Sequence, residues 1–205
     1  GKIVGFSGLR IDRFKIDGQK KFLVCFGQVV IDKAFRGQSL IPYTGMLLCF
    51  KYFKEILLSD VWFWSDALTY KSYLVFVKTV PEAYPTYKNE TSVEANTLIQ
   101  KIGTKYYNRT FCSETGTVKK PVNYINDHSV SIRSEDLSDP DIQFFMKANP
   151  NYEKGHGLIT LTPMHWKNIR ILSKRCVKNL FKKPKRKRRR IPQNELKPAL
   201  AFIRR

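Results

Sequence analysis

The chain opens with stretches in which apolar and polar positions alternate. Lys2 to Gly8 and Leu9 to Lys15 read as two short strands, and Ile16-Asp17-Gly18-Gln19 carries the Asp-Gly signature of a tight hairpin turn. From Phe22 to Ile31 the alternation gives way to a nearly continuous apolar run, the pattern of a central strand covered on both faces. After a short basic turn around Arg36 the rhythm changes again. Leu47, Leu48, Phe50, Phe53, Ile56 and Leu57 recur at mostly three- and four-residue spacings, so Ile41 to Leu58 is expected to be a helix, with Pro42 at its start where the missing N–H costs little.

Asp60 to Trp64 is the next strand, and Trp62 and Trp64, two apart, share one sheet face as core residues. Tyr73 to Val80 reads as a helix ended by Pro81. The order strand, helix, strand predicts two parallel neighbours in one sheet with a helical crossover. The second half reads as a helix from Ser92 to Ile102, short strands between Tyr106 and Ile132, a polar loop at Ser134-Glu135-Asp136 and a helix from an Asp139-Pro140-Asp141 cap to Lys147. A closing strand from Gly155 to Leu161 follows. His165 to Phe181 forms a basic amphipathic helix with Ile169, Leu172, Cys176 and Leu180 on one face.

Charge divides this layout. The net charge of +20 is concentrated after residue 166, where 16 Lys and Arg face the single acid Glu195. The expected division is therefore an α/β domain over 1–164 and a basic extension over 165–205. Lys182 to Arg190 is basic at every position except Pro184, which excludes it from any core and leaves three readings: a solvated tail that aids solubility, a contact for nucleic acid or another polyanion, or an attachment to an anionic membrane or protein surface. No apolar run is long enough to span a bilayer and no signal-peptide layout opens the chain, so a cytoplasmic protein is expected. Cys25, Cys49, Cys112 and Cys176 are too scattered for a zinc site or a disulfide framework, and no metal site is expected.

Chemistry concentrates at the turn. A strand feeding a glycine-containing loop and then a helix gathers backbone N–H groups at the positive end of a helix dipole, a favourable place for phosphate, and Arg36 adds a guanidinium. The stretch Val29-Val30-Ile31-Asp32-Lys33-Ala34-Phe35-Arg36-Gly37-Gln38-Ser39-Leu40 resembles the strand and pyrophosphate loop of the GNAT acetyltransferase superfamily, whose loop pattern is [Q/R]-x-x-G-x-[G/A]. Here Ser39 and Ile41 stand at the pattern's two small positions. The resemblance covers about residues 1 to 85. Tyr70-Lys71-Ser72-Tyr73, Tyr84-Pro85, Asp139-Pro140 with Phe144-Phe145, and Asn149-Pro150 are similar to stretches of uncharacterised bacterial proteins with a GNAT-like domain.

The resemblance implies a mixed, centrally parallel and splayed β-sheet flanked by helices. It also implies an acyl-CoA-dependent N-acyltransferase using acetyl-CoA or another acyl-CoA with an unidentified amine. On that reading Arg36, Gly37, Gln38, Ser39, Leu40 and Ile41 hold the pyrophosphate, while Val29, Val30 and Ile31 bond the pantetheine. Tyr70 or Tyr73 is placed to protonate the departing thiolate. Asp32 and Asp66 are the acids nearest the expected cleft; turn and capping roles suit them equally. The superfamily's fold ordinarily opens with a strand and two helices that wall the acceptor site, whereas this sequence opens on what read as the second and third strands, so that wall is expected to be missing, replaced by C-terminal elements, or supplied by another chain or an absent segment. Two alternatives stand beside the enzyme: a GNAT-like binding module without chemistry, and a nucleic-acid-binding protein acting through residues 182–190.

Overall fold

The structure, a computed structural model, describes residues 3–16, 18–36, 38, 40–120 and 131–180. It is a mixed α/β arrangement. Six strands, β1 (Gly5–Ile16), β2 (Gln19–Ile31), β3 (Asp60–Ala67), β4 (Phe111–Cys112), β5 (Thr117–Lys119) and β6 (His156–Pro163), form one sheet in the order β1-β2-β3-β6-β5-β4. Only β2 and β3 pair in parallel; the other neighbours are antiparallel. Among the described residues the α-helices are α1 (Leu40–Lys51), α2 (Phe53–Leu58), α3 (Tyr70–Thr79), α4 (Val93–Tyr107), α5 (Pro140–Ala148) and α6 (Trp166–Leu180).

The two opening strands expected from the sequence are one. The pair Ile16↔Gln19 closes a hairpin around Gly18, whose φ of 80 suits a residue without Cβ, and the ladder then runs back through Gly8↔Gly27 without a break at Leu9. The expected helix from Ile41 to Leu58 is divided, because Tyr52, at φ −105 and ψ 29, leaves the helical region between α1 and α2. β6 does not close the sheet at an edge. It lies in the interior, between β3 and β5.

The apolar run in β2 is explained by its position. Phe22, Val24 and Phe26 pack into one core with Val61 and Phe63 of β3, under residues of α1, α3, α5 and α6. Leu23 and Cys25 turn to the other face and join Trp62, Trp64 and the α4 residues Ala95, Leu98, Ile99 and Ile102. The two tryptophans share that face, as their spacing requires.

Caps set the helix starts. Thr69 and Ser72 form a reciprocal capping box that begins α3 three residues earlier than its apolar pattern suggests. Ser92 caps α4, and Asp139 caps α5 with Pro140 behind it. Leu172 and Cys176 of α6 are buried in the first core, so this helix packs on the sheet; the basic run 182–190 lies outside the described residues.

A fully buried amide ties α6 to the sheet. Asn168 donates from Nδ2 to the Glu82 carbonyl (2.9 Å), Thr162 Oγ1 (3.1 Å) and the Pro163 carbonyl (2.7 Å), and its Oδ1 accepts from the Glu82 N–H (3.2 Å). Replacing it leaves buried partners unpaired. Asn168→Ala should lower stability by about 1–3 kcal/mol, read as a lower denaturant midpoint with an unchanged slope.

Candidate functional site

β2 and β3 pair from Lys21↔Asp60 to Cys25↔Trp64 and no further, although β2 continues to Ile31 and β3 to Ala67. Beyond that point β3 keeps its other neighbour, through Ser65↔Thr160, Asp66↔Ile159 and Ala67↔Leu158. β2 keeps β1 on its outer side, but the register shifts between Phe6 and Gly8, and Gln28 of β2 adopts a φ of 48. An irregularity of this kind bends and twists a strand, which accounts for β2 leaving its parallel partner. The parallel ladder thus ends before the C-terminal ends of the two strands.

The residues expected to hold a coenzyme, Val29 to Ile31 and Arg36 to Ile41, follow in the chain after the last β2–β3 pair. Val29 and Val30 are exposed and Ile31 is half-buried at the end of β2. Asp32 caps a short helical turn over Lys33–Phe35 by accepting from the Ala34 N–H (2.9 Å), so it serves as a turn acid. Arg36 donates from Nε to the Ile31 carbonyl (2.9 Å), which folds the guanidinium back over the strand end. Gln38 reaches the Ala34 carbonyl at 3.5 Å. Gly37 and Ser39 lie outside the described residues.

A recess of about 340 Å³ separates the first turns of α1 from the hairpin. Val29, Ile31, Leu40 and Ile41 line it, together with Phe6, Phe26 and Tyr43; Val30 and Arg36 are not part of its wall. The side chain of Ile41 narrows the position at which the superfamily pattern has a small residue.

The two tyrosines have other partners. Tyr73 is fully buried, stacks on Phe144 and donates its hydroxyl to the Pro85 carbonyl (3.0 Å). Burial first, and then the Asp141 charge, push its phenol well above the ordinary value. Tyr70 begins α3 and donates to Asp136 Oδ2 (3.3 Å), and its phenol is likewise raised, first by burial and then by that carboxylate.

A polar cluster lies two residues beyond the last β2–β3 pair, built on Asp66, which the sequence names, and on Tyr107 and Lys120, which it does not single out. The largely buried Asp66 carboxylate accepts from the Tyr107 hydroxyl and pairs with Lys120. Burial, followed by the Asp66 charge, pushes the nearby Cys25 thiol up to about 12. Chemically the cluster offers a fixed carboxylate with a cation and a phenol beside it. Its members come from β3, α4 and the end of β5, which is why no local motif announces them.

Of the three histidines, His165 bonds Glu82 Oε2 (2.7 Å), His156 is half-buried beside β5, and His128 lies outside the described residues. Among the described residues no cluster of His, Cys, Asp and Glu has the makings of a metal site.

No protein family, curated protein or solved structure matches this chain.

None of the four cysteines is in a disulfide, and they differ sharply. Cys25, Cys49 and Cys176 are buried, whereas Cys112 is exposed and its thiol is drawn below the ordinary value, chiefly by a hydrogen bond from Thr115. Brief iodoacetamide treatment of the folded protein at about pH 8 should label Cys112 and spare the other three, as read by peptide mass spectrometry.

Proposed function

We propose that this chain is a GNAT-like, acyl-CoA-dependent N-acyltransferase acting on an amine, with its cosubstrate in the splay between β2 and β3. The observation that carries the reading is the parallel ladder that stops at Cys25↔Trp64 while both strands run on. A strand edge left without a partner suits a linear, amide-bearing ligand such as pantetheine, which can hydrogen-bond it as another strand would. The positions resembling the GNAT pyrophosphate loop follow directly, and a diphosphate seated there would meet Arg36 and the start of α1.

In this reading the amine attacks the thioester carbonyl, a β2 N–H polarises that carbonyl, and the coenzyme A thiolate leaves with a proton from the protein. Asp66 is the carboxylate at the mouth of the splay able to take the amine's proton once its pair with Lys120 loosens. Tyr70 is the better placed of the two proton-donor candidates, since Tyr73 would have to surrender its core hydrogen bond to Pro85.

Ile41 supports a second reading. A bulky side chain in the recess wall fits a scaffold that keeps the fold as a binding module without turnover. The nucleic-acid reading rests on the basic sequence at 182–190.

Calorimetry with acetyl-CoA and with free coenzyme A at moderate salt separates these readings, because salt suppresses general polyanion attraction. Saturable binding that weakens by about tenfold or more in an Arg36→Ala, Ser39→Glu variant is expected. A wild-type protein that takes up neither compound would end the acyltransferase reading.

A further inference from the structure

Between Leu40 and Leu58 the only charged residues are Lys51, Lys54 and Glu55. A helix so apolar all round is ordinarily covered on every side. Here α1 buries Met46, Leu48 and Cys49 against the sheet, while the opposite side of α1 and α2 is left open. Leu58 is 82% exposed, Phe50 and Leu57 are each 67% exposed, and Leu47 and Phe53 are exposed beside them.

Facing them is α6. It begins with Trp166, 73% exposed, and carries Arg170 and Lys174 at four-residue steps along the same stripe. The two walls enclose a groove of about 1010 Å³ lined by Phe50, Phe53 and Leu57 on one side and by Trp166, Arg170 and Lys174 on the other. Asp60, Glu82 and Glu94 also border the groove, at the start of β3. Each is already engaged: Asp60 and Glu94 by the buried Lys21, and Glu82 by His165. α6 itself holds Lys167, Arg170, Lys174, Arg175 and Lys178 with no acid, and the sequence continues from it into the basic run at 182–190.

We propose that this face seats the protein on the surface of an anionic lipid bilayer. Phe50, Phe53, Leu57, Leu58 and Trp166 enter the boundary between headgroups and acyl chains, and the bases of α6 lie against the anionic headgroups. Charge selects this occupant. Protruding Trp, Phe and Leu beside a helix that carries only positive charge is the pattern of an interfacial membrane contact. No helix among the described residues is long and apolar enough to cross a membrane, so the contact is one of lying on the surface. The face is at the opposite end of β3 from the splay and leaves that cleft open.

The test is co-sedimentation of the full chain with vesicles of phosphatidylcholine alone and of phosphatidylcholine mixed with phosphatidylglycerol, at physiological ionic strength. Three proteins are compared: wild type, Phe50→Glu/Leu58→Glu, and a full-length variant with the bases of 182–190 changed to Gln. Both replaced apolar side chains are exposed, and thermal melting verifies folding. Wild type is expected to pellet with the anionic vesicles only, with a blue shift of Trp166 fluorescence, and the apolar variant to lose roughly tenfold or more in affinity with its basic run intact. Three results would overturn the proposal. One is an apolar variant that binds as wild type does, which would leave the tail acting alone. Another is equal binding to neutral vesicles. The last is a wild-type dimer in ultracentrifugation that ignores vesicles and is dissolved by Phe50→Glu/Leu58→Glu, which would make a second copy the cover.

Discussion

The short parallel ladder between β2 and β3 is the constraint on which the rest of this structure depends. Five residues of each strand pair, and nearly all of their side chains are buried. Because the two strands run the same way, the chain between them must cross from one end of the sheet to the other, and α1 and α2 make that crossing. Because both faces of the ladder are apolar, both need covering. α1, α3, α5 and α6 supply one cover and α4 the other.

The ladder's two ends have different physical characters. At its start Lys21 is buried between Asp60 and Glu94; burial alone would pull its ammonium down, yet the two carboxylates outweigh that and hold it above the ordinary value. With these partners and Gln19 around it, Lys21 fixes the register at the first parallel pair. At the other end β2 stays paired with β1, through Gly5↔Ile31 and Phe6↔Val30, but no longer with β3. There the β1–β2 register shifts and Gln28 adopts a φ of 48, shortly before the loop at Arg36. The proposed coenzyme cleft and the proposed membrane face thus lie at opposite ends of β3, where chemistry at one need not disturb docking at the other.

The basic character of the protein is distributed to match. α6 is amphipathic in the strict sense: Leu172 and Cys176 are buried while its lysines and arginines stay in solvent. Asn168 fixes its first turn to the β6 end and to Glu82, so its charge is carried on a rigid element. α1 is the reverse case. It has apolar residues to spare, and the core uses only some of them.

The sequence by itself determined the elements and one central pairing. Apolar periodicity, the Asp-Gly turn and the capping residues Ser92 and Asp139 act over a few residues, so a local reading finds them, whereas the Thr69–Ser72 capping box lies ahead of the apolar pattern that begins at Tyr73 and escapes that reading. The order strand, helix, strand is enough to imply a parallel neighbour for β2. Only the tertiary structure decided that Gly5–Ile16 is one strand, that α1 and α2 part at Tyr52, and that β6 enters the sheet between β3 and β5. Those outcomes depend on hydrogen bonds and packing between segments far apart in the chain. The candidate site divides in the same way. Arg36 and its neighbours are contiguous and could be read directly, whereas Asp66, Tyr107 and Lys120 meet only because three elements converge on one face. The sequence pattern cannot say which turns of an apolar helix will find a partner. That is settled by which side of α1 the sheet happens to cover.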